Sequence, residues 1–153
     1  MQVREAGFQP TMTTGCVFCD EDGGQLLWRD ARCRVVLTDE PFAGFCRVIW
    51  NTHVREMTDL AAPNRAHLMH VVYAVESALR ARLAPAKMNL ASLGNQTPHL
   101  HWHVIPRFFD DSHFPQPVWG ERQRDPPSRP LPGDFVAALS GDLAALLGAP
   151  VSQ

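Results

Sequence analysis

The sequence has no run of about twenty apolar residues, the length a helix needs to cross a bilayer. It also has no signal-like N-terminus, so a soluble cytoplasmic protein is expected. There is no basic surplus. Lys and Arg number 14 against 16 Asp and Glu, and the formal net charge of −2 gives no electrostatic case for binding long nucleic acid. Four cysteines do not make a disulfide scaffold in a chain of 153 residues. No internal repeat and no second domain are visible, and the chain is long enough to bury a core of its own. A single domain over residues 1–153 is expected, with 1–14 as a loose arm and a Pro-rich segment at 121–133 before a last helix.

The patterning that is present points to an α+β domain. Strands are expected at Gln25–Arg29, at Cys33–Thr38, rich in β-branched residues, and at Phe45–Trp50. The turn-forming runs EDGG and DEPFAG punctuate them. Three strands in quick succession favour an antiparallel meander, because parallel neighbours need a long crossover. The period then changes. Leu68, Val71, Val72, Val75, Leu79 and Leu83 follow helical spacing within 64–83, with Pro63 suited to the first turn and Pro85 marking the end. A strand at Lys87–Ser92, a polar turn and a histidine-rich strand complete an antiparallel sheet of about five strands on one main helix. Six of the thirteen prolines lie between Pro115 and Pro132. A C-terminal helix over 134–147 is expected to turn Phe135, Leu139, Leu143 and Leu146 inward. Cys33 and Cys46, in apolar strands, read as buried thiols.

The histidine-rich strand carries the chemistry. Residues 99–105 read HLHWHVI and hold three of the chain's seven histidines on a two-residue beat. Strand geometry puts His99, His101 and His103 on one face and Leu100, Trp102 and Val104 on the other, with neighbouring histidines roughly 7 Å apart. Imidazole serves as nucleophile, proton carrier, phosphate donor or metal ligand. The preceding Gly94-Asn95-Gln96-Thr97 loop offers amides and polar side chains suited to a phosphate. A metallohydrolase would call for a carboxylate base near the row, and none is evident. Cys16 and Cys19 form a C-x-x-C pair, read either as two thiols near a loop or as half of a zinc site, with no thioredoxin-like context.

HLHWHVIPRF resembles the histidine triad signature of the HIT superfamily of nucleotide hydrolases and transferases. The upstream stretch VVLTDEPFAGFCRVIWNTHVREMTDL resembles that family's strand-turn-strand segment, so the likeness spans roughly residues 16–120. It is nearer to Fhit-like dinucleoside polyphosphate hydrolases and bacterial HIT proteins than to the branch whose strand runs on into Gly-Gly. The resemblance implies a HIT-like fold, a homodimer, and cleavage at the α-phosphate of dinucleoside polyphosphates or nucleoside phosphoramidates. His101 is then the nucleophile of a covalent nucleotidyl-histidine intermediate, its other nitrogen tied to a backbone carbonyl such as that of His99, and His103 donates to the phosphate or leaving group. The transferase branch carries Gln at the third position, so His103 favours hydrolysis. Nucleotidyl transfer and a nucleotide-binding protein with vestigial catalysis remain the alternatives.

Zinc-containing members combine an N-terminal C-x-x-C with the histidine after the third strand and the first triad histidine, which implies a structural zinc on Cys16, Cys19, His53 and His99. Magnesium could accompany the substrate's phosphates. Asp39 stands where the family places a ribose contact, and is equally a solvated turn residue. Asn89, Asn95, Gln96 and Thr97 are further substrate-binding candidates. Arg107 pairs either with phosphate or in a structural salt bridge. Trp119 and His113 either cover a base or pack an interface. His67 and His70 on the main helix read as structural or exposed.

Overall fold

The computed structural model describes residues 15–152, and the expected arm at 1–14 lies outside the described residues. Five strands, β1 (Gln25–Arg29), β2 (Cys33–Leu37), β3 (Cys46–Trp50), β4 (Lys87–Ala91) and β5 (His101–Arg107), form one sheet in the order β1-β2-β3-β5-β4. Every pairing is antiparallel. Among the described residues three helices accompany it: a four-residue α1 (Val17–Asp20), the long α2 (Ala62–Leu83) and α3 (Phe135–Leu147). A single 3₁₀ turn, Met57–Asp59, leads into α2. No helix among the described residues is long and apolar enough to cross a membrane.

Strand alternation divides the sheet into two faces with different tasks. Cys33, Val35, Cys46, Val48, Trp50 and Val104 point to one face, where they form the main core with Leu68, Val71, Val72, Val75 and Leu79 of α2. Phe135, Leu139 and Leu143 of α3 close that core. The four-residue steps of this stripe continue to Leu147, which packs against the core, whereas Leu146 is 50% exposed, contrary to the expected inward set. Cys33 and Cys46 are buried as expected, and burial pushes the Cys46 thiol up to about 12 and the Cys33 thiol higher still, so both are inert. Pro63 lies in the first turn of α2, and Ala84 ends the helix in the left-handed conformation just before Pro85.

The opposite face carries Arg34 and Val36 of β2, Arg47 and Ile49 of β3, and His101 and His103 of β5. Register puts Arg47 directly opposite His103, and Ile49 opposite His101. Helix α1 covers part of this face through Phe18, which packs on Val36 and Ile49. The rest is left open as a cleft.

Candidate active site and metal cluster

The histidine row is not one uninterrupted strand. Strand β5 begins at His101, and the backbone at His99 turns back so that its N–H donates to Thr97 O. His99 is wholly buried, and its ring lies edge-on to Phe18, as the ring of His101 does. Its Nε2–H donates to Trp50 O, which directs the lone pair of Nδ1 toward the two cysteines. His101 and His103 stay on the strand and on one face, with ring centroids 4.9 Å apart. The Nδ1–H of His101 donates to His99 O at 2.6 Å, the carbonyl that the family resemblance had suggested. That bond sets the tautomer and leaves Nε2 of His101 unprotonated.

Burial lowers the His101 imidazole below its ordinary value and takes His103 down to about 3, with the neighbouring charge of Arg47 acting in the same direction. Both rings are therefore neutral at pH 7, the form in which imidazole is nucleophilic. His103 Nδ1 is buried and meets no partner among the described residues. Trp102 points away, as expected, and donates through Nε1 to Met57 Sδ on the core side.

The two rings line a cleft of about 380 Å³. Asn95, Gln96 and Thr97 of the loop before β5 form one wall, and Trp119 lies edge-on to His103 at 4.9 Å. These four candidates are thus brought to the same cleft as His101 and His103. Gly94 supports the loop with φ +84, a conformation that a side chain would strain. Phe18 closes the end nearest α1, its ring 4.8 Å from that of His101.

Cys16, Cys19, His53 and His99 come together behind this cleft. Their ligand atoms all lie within 4.8 Å of one another. Cys16 Sγ is 3.4 Å from His99 Nδ1, and Cys19 Sγ is 3.5 Å from Nδ1 of both His53 and His99. In a tetrahedral zinc site with Zn–S of about 2.3 Å and Zn–N of about 2.05 Å, a sulfur and a nitrogen stand about 3.5 Å apart. The donor set and its spacing fit zinc. Burial takes His99 down to about 4, which keeps it in the neutral, coordinating form.

A family model described as HIT domain matches residues 20–110, more than half of the chain. The chain belongs to the HIT domain family. Among solved structures, a histidine triad protein from Bradyrhizobium japonicum is 27% identical with a TM-score of 0.67, covering 80% of this chain and 92% of its own. A histidine triad protein from Marinobacter aquaeolei is 26% identical with a TM-score of 0.63, over 82% and 90%. A zinc-bound histidine triad family protein from Mycobacterium smegmatis, 24% identical with a TM-score of 0.60 over 86% and 95%, shares the fold. No curated protein matches.

The remaining candidates of this HIT domain divide. Asp39 lies outside the histidine cleft, in an adjoining cavity that also borders Phe18, Arg47 and Thr97. Asn89 does not line the cleft; its Oδ1 accepts from Arg107 Nη1 at 2.9 Å. Arg107 is structural, because it is buried, forms a two-pronged pair with Asp111, and donates to Gln116 O. His113 packs on Phe42 and meets Ser112 Oγ, away from the cleft. His67 pairs with Asp30, tying α2 to the β1–β2 turn, and His70 is exposed.

Three residues that assemble the site were missed. Phe18 packs against His101 and, edge-on, against His99. Arg34, buried beneath α1, donates to the carbonyls of Phe18, Glu21 and Asp22 and to Asn51 Oδ1. Arg47 borders both cavities. The overlooked signal was an arginine inside each apolar strand, in CRVVL and CRVIW, where a guanidinium is retained only if it finds acceptors.

Proposed function

We infer from membership of the HIT family a nucleotide-binding, hydrolase-like role in general terms. We propose that the protein is a nucleotide hydrolase that cleaves at the α-phosphate of dinucleoside polyphosphates or nucleoside phosphoramidates. The supporting observation is the His101 Nδ1–H bond to His99 O, which frees Nε2 beside a second neutral imidazole in an open cleft. In the first step His101 Nε2 attacks the α-phosphorus. A P–N bond to histidine forms as the P–O or P–N bond to the leaving group breaks, and the Nδ1–H bond stabilises the positive ring. His103 donates an N–H to the phosphoryl oxygen or to the leaving oxygen or nitrogen, a leaving amine taking its proton from solvent through that bond, while the amides of the 94–97 loop receive the remaining oxygens. Water then attacks the phosphorus, the P–N bond breaks, and a nucleoside monophosphate leaves with His101 restored.

In this reading Trp119 covers the cleft mouth and Asp39 receives the ribose from the adjoining cavity. A zinc held by Cys16, Cys19, His53 and His99 is structural: it cross-links α1 to both loops and leaves His101 and His103 free. The working form is a homodimer, for which sedimentation equilibrium is the check. The decisive experiment offers adenosine phosphoramidate and diadenosine polyphosphates to wild type and His101→Ala. Turnover with a trappable nucleotidyl-enzyme, both lost in the variant, is the expected result. Normal turnover by His101→Ala refutes the mechanism, and faster transfer to a phosphate acceptor than to water would make the enzyme a transferase.

A further inference from the structure

Resting on that nucleotide reading, the geometry points to Arg47 as the residue that docks the anionic phosphate of the ligand, with Glu40 as its displaceable counter-ion. Of the described side chains lining the histidine cleft, only Arg47 and Glu40 carry a fixed charge at neutral pH. The adjoining cavity adds Glu21 and Asp39 but no second cation among the described residues. Arg47 is thus the fixed positive charge available to a phosphate in either space. It stands across the ladder from His103, on the face that carries both imidazoles.

The guanidinium is held in place but not consumed. Nη1 donates to Gly23 O at 3.0 Å, and the plane lies near the Phe18 and Phe45 rings, 5.8 and 6.0 Å from their centroids. Those rings also flank His101 and His103, so guanidinium and imidazoles share one aromatic frame. Nε is buried and meets no acceptor among the described residues. Nη2 reaches Glu40 Oε1 at 3.5 Å, too long for a good hydrogen bond, and Glu40 is an exposed residue free to swing into solvent. A phosphate oxygen offers this fork a better-matched acceptor than the loose carboxylate does. Binding would exchange Glu40 for substrate while Gly23 O keeps the arginine aimed.

Calorimetric titration of AMP and of adenosine into wild type, R47Q, R47K and E40Q tests the assignment, with melting curves to verify folding. R47Q should weaken AMP about tenfold to a hundredfold and leave adenosine within about twofold. R47K, which keeps the charge but not the fork, should fall between wild type and R47Q. E40Q removes the competing carboxylate and should tighten AMP without affecting adenosine. Unchanged AMP affinity in R47Q, or equal loss for AMP and adenosine, overturns the docking role. Unchanged or weaker AMP binding by E40Q overturns the counter-ion role, and this variant remains informative if R47Q does not fold. A wild type that binds neither compound overturns the nucleotide reading itself, whereas AMP binding without any turnover leaves Arg47 in place and overturns only the hydrolase.

Discussion

Replacing Arg34 with methionine, similar in length and uncharged, should detach α1 from the sheet. The residue is 3% exposed and makes four hydrogen bonds, three of them to the Phe18, Glu21 and Asp22 carbonyls at 2.7–3.0 Å. Hydrogen bonds from a charged donor contribute about 1.5–3 kcal/mol each, but the full sum is never lost, because the carbonyls rehydrate once α1 lifts. The ceiling is the free energy of docking α1. Phe18, the one buried residue of this helix, contributes about 1.5–3 kcal/mol by burial. The arginine bonds add to this, offset by no longer burying a charge whose hydrogen bonds among the described residues go to neutral acceptors. A net loss of about 3 kcal/mol follows, which for a domain of this size lowers Tm by about 6–12 °C. Calorimetry should show that shift, and zinc content and turnover should fall with it, since Cys16, Cys19 and Phe18 all travel with α1. The exposed Arg55→Met is the control. A shift of under about 2 °C with metal content unchanged would refute Arg34 as the anchor of this helix.

Gly23→Ala should lower stability and activity together: its φ is +87, and a Cβ there would fall 2.8 Å from both Phe18 and Ile49 side-chain atoms, a clash readable as a melting shift and reduced turnover. Cys16→Ser should lower zinc content measured on protein purified without a polyhistidine tag and reduce thermal stability; full metal retention would argue against the cluster. Burial alone would raise the Asp30 carboxyl, but the amides of Cys33 and Arg32 and the His67 ring together hold it below its ordinary value. Asp30→Asn should therefore destabilise the protein at neutral pH, and the difference from wild type should shrink as pH falls below about 4. Burial keeps His103 neutral in the folded state down to about 3 while the unfolded chain protonates near 6.5, so the unfolded state binds the extra proton. Stability from this group is present above about pH 6.5 and falls by about 1.4 kcal/mol per pH unit below it; His103→Gln should flatten the acid limb of the denaturation profile by one proton.

The order of strands and helices was legible because hydrophobic period reports local geometry. The runs CRVVL and CRVIW, and the helical spacing from Leu68 to Leu83, each became the element expected. Boundaries moved by a residue or two. The shift that matters is at the triad, where β5 begins only at His101, after a turn in which the His99 N–H donates to Thr97 O. Alternation in sequence states what a strand would do with those residues, not where the strand starts. Asn89 was likewise legible as a polar residue on β4, but not as the acceptor of a buried arginine, since that depends on Arg107 reaching across from β5.

By itself the sequence determined the residue types and their spacing: the triad, the C-x-x-C, the α+β pattern and the family they share. Only the tertiary structure decided which backbone acceptors orient the histidines whose division the family resemblance implies. The Trp50 carbonyl turns His99 toward Cys16 and Cys19, and the His99 carbonyl in turn fixes the tautomer of His101. Those assignments rest on backbone acceptors contributed by positions up to 49 residues apart. Arg34 and Arg47 belong to the same class. A strand pattern records which face a side chain takes, but the worth of a buried charge depends on the acceptors and open space that the rest of the chain folds around it.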